Sequence, residues 1–395
     1  MNKNIFFQAG FLFLLSCQTQ PVVNDFFQDR IYKVSLEEAL NKTNSVPISR
    51  IGSEIDYIPL ETHPEGLLTR VNKIVVYEPY VFIINLGRVL QFKNDGSFIR
   101  QIGSRGQGPK EYLNNTIRDI AVDSLKQQLI VHEFYTHIFD LNGNHIRRFR
   151  NNSFNNTYTP ERVFPFKENQ FIYSILNVSQ HIDPNINSLI ILNDHAEVVD
   201  SFKNYHKRVQ KPGFTLPFAA PFYSFQSNIR FKEFGADTLY TVEQDTLVPY
   251  AIFDLGNKAL PVDLNSDELN TQGKYWLLSI LEDNDHFFLR FTNWNLLDMG
   301  IYLDGVYSKA TGESIILGDN GFRNDIDGGL PFFPRYLYND SMLVDYVQAF
   351  KLREHVFNGN DLENRKLYGQ KYEDLVKLAN SLDDESNPVL ILVKK

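Results

Sequence analysis

Ile74-Val75-Val76, Tyr80-Val81-Phe82-Ile83-Ile84, Val89-Leu90-Gln91-Phe92, Asn94-Asp95-Gly96 and Phe98-Ile99-Arg100-Gln101-Ile102 form a series that the chain goes on to repeat in kind. The second copy reads Ile120-Ala121-Val122, Gln128-Leu129-Ile130-Val131, His137-Ile138-Phe139-Asp140, Leu141-Asn142-Gly143 and His145-Ile146-Arg147-Arg148-Phe149. Gly96 and Gly143 stand 47 residues apart, and Ile74 and Ile120 stand 46 apart. Each copy holds four short runs rich in β-branched and aromatic residues, with an Asp-Gly or Asn-Gly pair before the last. That spacing predicts four antiparallel strands ending in a tight hairpin. One such sheet cannot bury both of its faces, so the period predicts blades stacked around an axis: an all-β propeller of four-stranded antiparallel blades.

The pattern weakens beyond Phe149 but persists. Arg162–Asn177 with Ser188–Phe202, Ser224–Leu255 and Tyr275–Leu317 make a third, fourth and fifth unit, and Phe333–Phe350 begins a sixth. Upstream, Ser35-Leu36-Glu37-Glu38 has the spacing of a capping box and predicts a short N-terminal helix to about Asn41. Ile51 to Leu60 reads as a lone strand, which a circular fold needs if its first and last strands share a blade. Near the C-terminus, Tyr368, Tyr372, Leu375, Ala379 and Leu382 fall at helical spacing, predicting one amphipathic helix over Asn364–Leu382. Val389-Leu390-Ile391-Leu392-Val393 follows as a buried last strand. The expected division is 1–16 as a leader, 17–48 as a tether with the short helix, and 49–395 as the propeller.

The 395 residues include 32 Phe and 20 Tyr, a composition that suits β structure and opposes disorder. Formal charge is −9, and without residues 1–16, which carry Lys3 and no acid, it becomes −10. No nucleic-acid partner is expected of so acidic a chain. The single cysteine, Cys17, excludes internal disulfides and a cysteine metal centre. Lys3, the apolar run Ile5–Leu15 and Leu14-Leu15-Ser16-Cys17 resemble the leader and lipobox of bacterial lipoproteins. The resemblance implies acylation of Cys17 and a membrane partner through that lipid anchor. Gln18-Thr19-Gln20 lacks an Asp after the cysteine, which under the lipoprotein sorting rule implies the outer membrane, with the periplasmic face favoured over the cell surface. An ordinary secretory leader with an incidental cysteine is the other reading.

Gly103-Ser104-Arg105-Gly106-Gln107-Gly108-Pro109-Lys110-Glu111-Tyr112 resembles the Gly-x-Gly-Pro-x-Glu-Tyr segment of a family of six-bladed β-propeller lipoproteins of Gram-negative bacteria, related to NHL-repeat propellers. The likeness extends to Pro59-Leu60-Glu61-Thr62, to Asp325-Ile326-Asp327-Gly328-Gly329 and to Asn387-Pro388-Val389. It implies six blades, where spacing alone admits six or seven.

Candidate sites follow from residue chemistry. Arg105, Gln107, Lys110, Glu111 and Tyr112 lie on a glycine-rich connection that could cradle an anion or a sugar hydroxyl, or could serve only to join two blades. Asp319, Asn320, Asn324, Asp325 and Asp327 form an oxygen-rich set, with Asp325 and Asp327 as weak candidates for Ca2+; Asx residues beside glycines also form ordinary turns. No other cofactor is expected. His132 and His137 sit on a strand pattern that places them on opposite faces, which opposes a shared metal. Tyr205–Phe225 mixes basic and aromatic residues and suits either a sugar- or peptide-stacking loop or buried cover. The reading that results is a lipid-anchored, non-catalytic propeller binding a protein or glycan partner; the alternative is a propeller enzyme, such as a metal-dependent lactonase or esterase or a sugar-active lyase.

Overall fold

Two neighbouring residues, Phe82 and Ile83, set out the packing. Phe82 packs with Ile120, Leu129 and Val131, whereas Ile83 packs with Val344, Leu390 and Leu392. Alternate residues of one strand thus enter two different cores, which is why these strands are apolar almost throughout. The computed structural model describes residues 31–395 except 114–116, 153, 155–158, 177–186, 204–219, 234, 261–271, 296–297, 319, 339–341 and 360.

Six antiparallel sheets form six blades. Blades 1 and 2 (71–102 and 119–149) are the tandem copies, and blades 3, 4 and 5 follow over 159–203, 222–254 and 276–317. Blade 6 combines Tyr336–Tyr338, Met342–Val347 and Val389–Lys394 with Glu54–Pro59 as its outer strand. The ring therefore closes where the lone strand predicts: Ile55 pairs with Val393 and Ile58 with Leu390. The Gly96 and Gly143 turns have φ of 90° and 84°, a region that glycine enters at little cost. Asp95 accepts from Ser97 N at 2.9 Å, and Asp140 accepts from Asn142 N and Asn144 N at 2.9 and 2.8 Å.

The N-terminal segment is an outer strap. Tyr32–Ser35 adds in parallel to the outer strand of blade 4, and Thr43–Asn44 adds in parallel to that of blade 5, before the chain becomes the outer strand of blade 6. Residues 32–48, expected within the tether, therefore edge the ring. The expected N-terminal helix is a single 3-10 turn, Ala39–Asn41, whose Leu40 is buried with Leu36 between blades 4 and 5. Glu37 turns away from any capping box and accepts from Asn257 N at 3.3 Å.

The predicted C-terminal helix is divided, and a further helix precedes it. Helices α1 (Ala349–Asn358), α2 (Asp361–Tyr368) and α3 (Gln370–Ser381) are inserted between the second and third strands of blade 6. Gly369, at φ 56°, breaks the helical path between α2 and α3. Leu352, Val356, Tyr372, Leu375 and Ala379 bury the inner side of this insertion against Val389. Antiparallel order puts the inter-blade connections and this insertion on one face of the ring, here called upper. The hairpins that join first to second strands lie on the lower face.

Candidate functional site: the axial channel

The innermost strands are Val71–Tyr77, Asp119–Asp123, Thr159–Phe166, Phe222–Phe225, Trp276–Glu282 and Tyr336–Tyr338. At their upper ends charge is concentrated. Lys73 Nζ lies 2.5 Å from Asp119 Oδ1, and Asp119 Oδ2 accepts from Val163 N at 2.9 Å. Arg118 pairs with Glu161, and Arg335 with Asp345, each at 2.5 Å. Arg290 grips Asp304 with two bonds of 2.7 and 2.9 Å. Arg162 differs from these cations. Its guanidinium donates to the carbonyl of Phe222 at 3.4 Å, and among the described residues it forms no ion pair.

Burial and charge act in opposition here. Burial draws the Lys73 ammonium below its ordinary range, opposed by Asp119 and reinforced by Arg162. Burial likewise raises Glu161, against the pull of Arg118 and Arg162. Asp345 is raised by burial, with Arg335 opposing. Beside them, His132 is held neutral by burial, down to about 4. On the opposite wall Ser279, midway along the innermost strand of blade 5, is exposed.

The lower end is closed around one carboxylate. Fully buried Glu282 accepts from Tyr223 at 2.9 Å, Tyr250 at 2.6 Å and Lys309 at 2.7 Å, and Arg230 Nε lies 3.5 Å away. The guanidinium of Arg230 also covers the Tyr250 ring at 3.6 Å. Burial, and after it the charge of Glu282, pushes both phenols up. Next in sequence, Asp283, Asp285 and His286 bring ligand-type atoms within 4.8 Å of one another. The ammonium of Lys395 lies 2.8 Å from Asp283 and 3.2 Å from Asp285, so the chain's own cation sits on this group.

The glycine-rich connection divides its residues between two tasks. Glu111 accepts from Gly108 N at 2.7 Å, and buried Tyr112 donates to the Ile102 carbonyl at 3.1 Å. A side chain at Gly103 would meet the Tyr112 ring at 2.7 Å. Arg105, Gln107 and Lys110 are exposed on the upper face. Asp325 accepts from Ser49 N and Oγ at 3.1 and 2.7 Å, fastening the strap. Asp327 Oδ1 instead receives Tyr57 Oη at 3.2 Å, Asn324 Nδ2 at 2.7 Å and Gly329 N at 2.8 Å. The two carboxylates thus serve separate joints, and Asp319 lies outside the described residues, as do Cys17 and residues 204–219 of the basic-aromatic stretch. Of that stretch, Phe222 and Phe225 are buried in blade 4. His132 and His137 do face opposite ways: His132 packs on Tyr173 and His137 on Tyr112.

These features define a six-bladed β-propeller with a charged upper channel. The chain belongs to the family described as a domain of unknown function, DUF4934, which matches residues 31–394. A comparison with curated proteins gives no match. Among solved structures, an exported protein from Bacteroides fragilis is similar at 14% identity and TM-score 0.66, covering 93% of this chain and 100% of its own. The Pan2 WD40 domain of Neurospora crassa is similar at 10% identity and TM-score 0.40, covering 67% and 72%. An ancestral GH74 enzyme reaches 13% identity and TM-score 0.41, covering 73% of this chain and 34% of its own. Likeness at such identities concerns the fold alone. Among the described residues no helix is long and apolar enough to cross a membrane.

Proposed function

We propose that this protein is a lipid-anchored, non-catalytic propeller on the periplasmic face of the outer membrane, presenting its upper face to a protein or glycan partner. The observation that carries the reading is the pairing of carboxylates around the axis. Asp119, Glu161, Asp345 and Asp304 each sit against a cation of the same chain, and Glu282 is enclosed by donors. A hydrolase that works through an axial metal or general base needs carboxylates free to converge on a ligand. Exposed Arg105, Gln107 and Lys110 join the proposed binding face, with Glu111 and Tyr112 holding their loop. The leader that precedes Cys17 supports the anchor, and export is also what the Bacteroides fragilis neighbour is described for.

The strap supports an orientation: Tyr32, where the described strap enters the ring, lies beside Lys309 on the lower side of blade 5, away from the upper face. Labelling cells with a palmitate analogue and fractionating them tests the anchor: wild type carries label in the outer membrane, and Cys17→Ser loses it. Saturable capture of a protein or glycan without its conversion is the expected solution behaviour. Turnover of a bound candidate with a stoichiometric metal would replace this reading with the hydrolase one.

A further inference from the structure

We propose that a cavity between the N-terminal strap and blade 5 binds a free α-amino acid with an apolar side chain of leucine or phenylalanine size. This site lies apart from the upper face and goes beyond the function proposed above. The cavity measures about 190 Å³. Its floor is apolar: Val46 and Ile51 come from the strap, Val306 from blade 5 and Phe322 from the connection to blade 6, and all four are buried. Backbone bonds hold these parts together, since Ile48 N donates to the Arg323 carbonyl at 2.9 Å and Arg323 N to the Val46 carbonyl at 2.8 Å. An apolar cavity of about 150 Å³ is enough for a benzene ring, so this floor has room for one isobutyl or phenyl group. The space falls short of the roughly 300 Å³ at which drug-sized ligands begin.

Charge is placed at the mouth. Arg50 and Glu313 line it with side chains 56% and 54% exposed, and they meet at 3.4 Å. An exposed pair at that distance holds weakly and opens at little cost. The other charges nearby are already engaged. Asp283 and Asp285, beside His286 of the cavity wall, share the ammonium of Lys395, and Lys394 pairs with Glu54 and Asp56. Lys309 is bonded to Glu282 and to the Asp283 carbonyl; Asp325 is bonded to Ser49, with exposed Arg323 in its field. The mouth is therefore one positive and one negative group side by side. A carboxylic acid alone would stand against Glu313, and an amine alone would stand against Arg50. An α-amino acid carries both charges on one carbon, so its carboxylate meets Arg50 and its ammonium meets Glu313 while the side chain enters the floor. No net charge is added, and one weak ion pair is exchanged for two.

Titration calorimetry of the purified chain with L-leucine, isocaproate, isoamylamine and glycine tests the assignment. The last three lack, in turn, the ammonium, the carboxylate and the side chain. L-Leucine is expected to bind saturably, and each of the others about 10- to 100-fold more weakly. Arg50→Gln should lower leucine affinity towards that of isoamylamine, and Glu313→Gln should lower it towards that of isocaproate. Both side chains are half-exposed, so unchanged melting of the variants is expected and establishes that the loss is local. If either variant does not fold, the comparison of the ligands on wild type carries the test. No saturable leucine binding at millimolar concentration, isocaproate or isoamylamine binding as tightly as leucine, or unchanged leucine affinity in the folded variants overturns the site. Capture of a protein or glycan is measured separately, so failure of this site leaves the proposed function standing.

Discussion

The two ends of the channel treat buried charge in opposite ways. Below, one carboxylate, Glu282, gathers two phenols, an ammonium and a guanidinium, and the cluster is sealed between blades 4 and 5. Above, cations and acids alternate around the rim in separate pairs, partly open to water, and Arg162 holds only a backbone carbonyl among the described residues. A closed cluster in which each charge has its partners fixes how two blades meet. An open set of separate pairs leaves polar groups within reach of water. The difference teaches that burial of charge alone does not mark a site.

The largest effect should come from breaking the lower cluster. Glu282→Gln keeps the shape and removes the charge, leaving Lys309 and Arg230 buried without their anion. A loss of about 3–5 kcal/mol is expected on breaking a buried pair from one side, read from urea unfolding followed by tryptophan fluorescence. A loss below about 1 kcal/mol would show that the lower end is as loosely held as the upper.

Acid should strike the upper end. His132, beside Asp119, is held neutral by burial down to about 4, whereas an unfolded histidine takes its proton near 6.5. Because the folded value is the lower one, the unfolded chain binds the extra proton first as pH falls. Stability is complete above 6.5 and declines between 6.5 and about 4, by roughly 3 kcal/mol. Unfolding free energy measured across that window should slope in wild type and flatten in His132→Gln. An unchanged slope in the variant would move the acid sensitivity elsewhere.

What could be read from the sequence follows the same division between structure and site. The tandem copies were legible because Gly96 and Gly143 occupy positive-φ turn positions that favour glycine, and because apolar strands buried on both sides leave an obvious trace. The closure was legible too. Glu61 accepts from Phe98 N at 2.8 Å, Thr62 accepts from Asn387 N at 3.0 Å, and Asn387 donates to the carbonyls of Glu61 and Gly66 at 2.7 and 2.9 Å. The distant motifs Pro59–Thr62 and Asn387–Val389 are therefore one joint, and Asp325–Gly329 is another, through Ser49 and Tyr57. Motifs stood out where local backbone geometry is demanding. The channel residues did not, because Lys73, Asp119, Arg162 and Glu282 come from separate blades with no shared spacing, and the ring alone brings them together. Helix α1 was missed for a related reason: its inner residues Leu352 and Val356 continue the apolar run of the strand before it.

Asp119→Asn sharpens the comparison from the upper end. The amide can still accept from Val163 N, so the loss is chiefly the ion pair with Lys73. That pair has a side chain 21% exposed on the lysine side, and about 1–2 kcal/mol is expected. Urea unfolding of this variant measures the loss, and a change as large as that of Glu282→Gln would mean that the upper pair is held as tightly as the lower cluster.

The smallest effect on stability belongs to Arg162. Arg162→Met removes one weak bond to the Phe222 carbonyl and a guanidinium that makes the Lys73 ammonium costlier to bury. The lost bond and the relieved repulsion have opposite signs, so the net change should stay within about 1 kcal/mol. Glu282→Gln should show the reverse, a large loss of stability. Measuring both variants by urea unfolding tests whether the two ends hold their charges differently. If Arg162→Met costs as much stability as Glu282→Gln, the upper charges are a second structural cluster, and the distinction between the two ends fails.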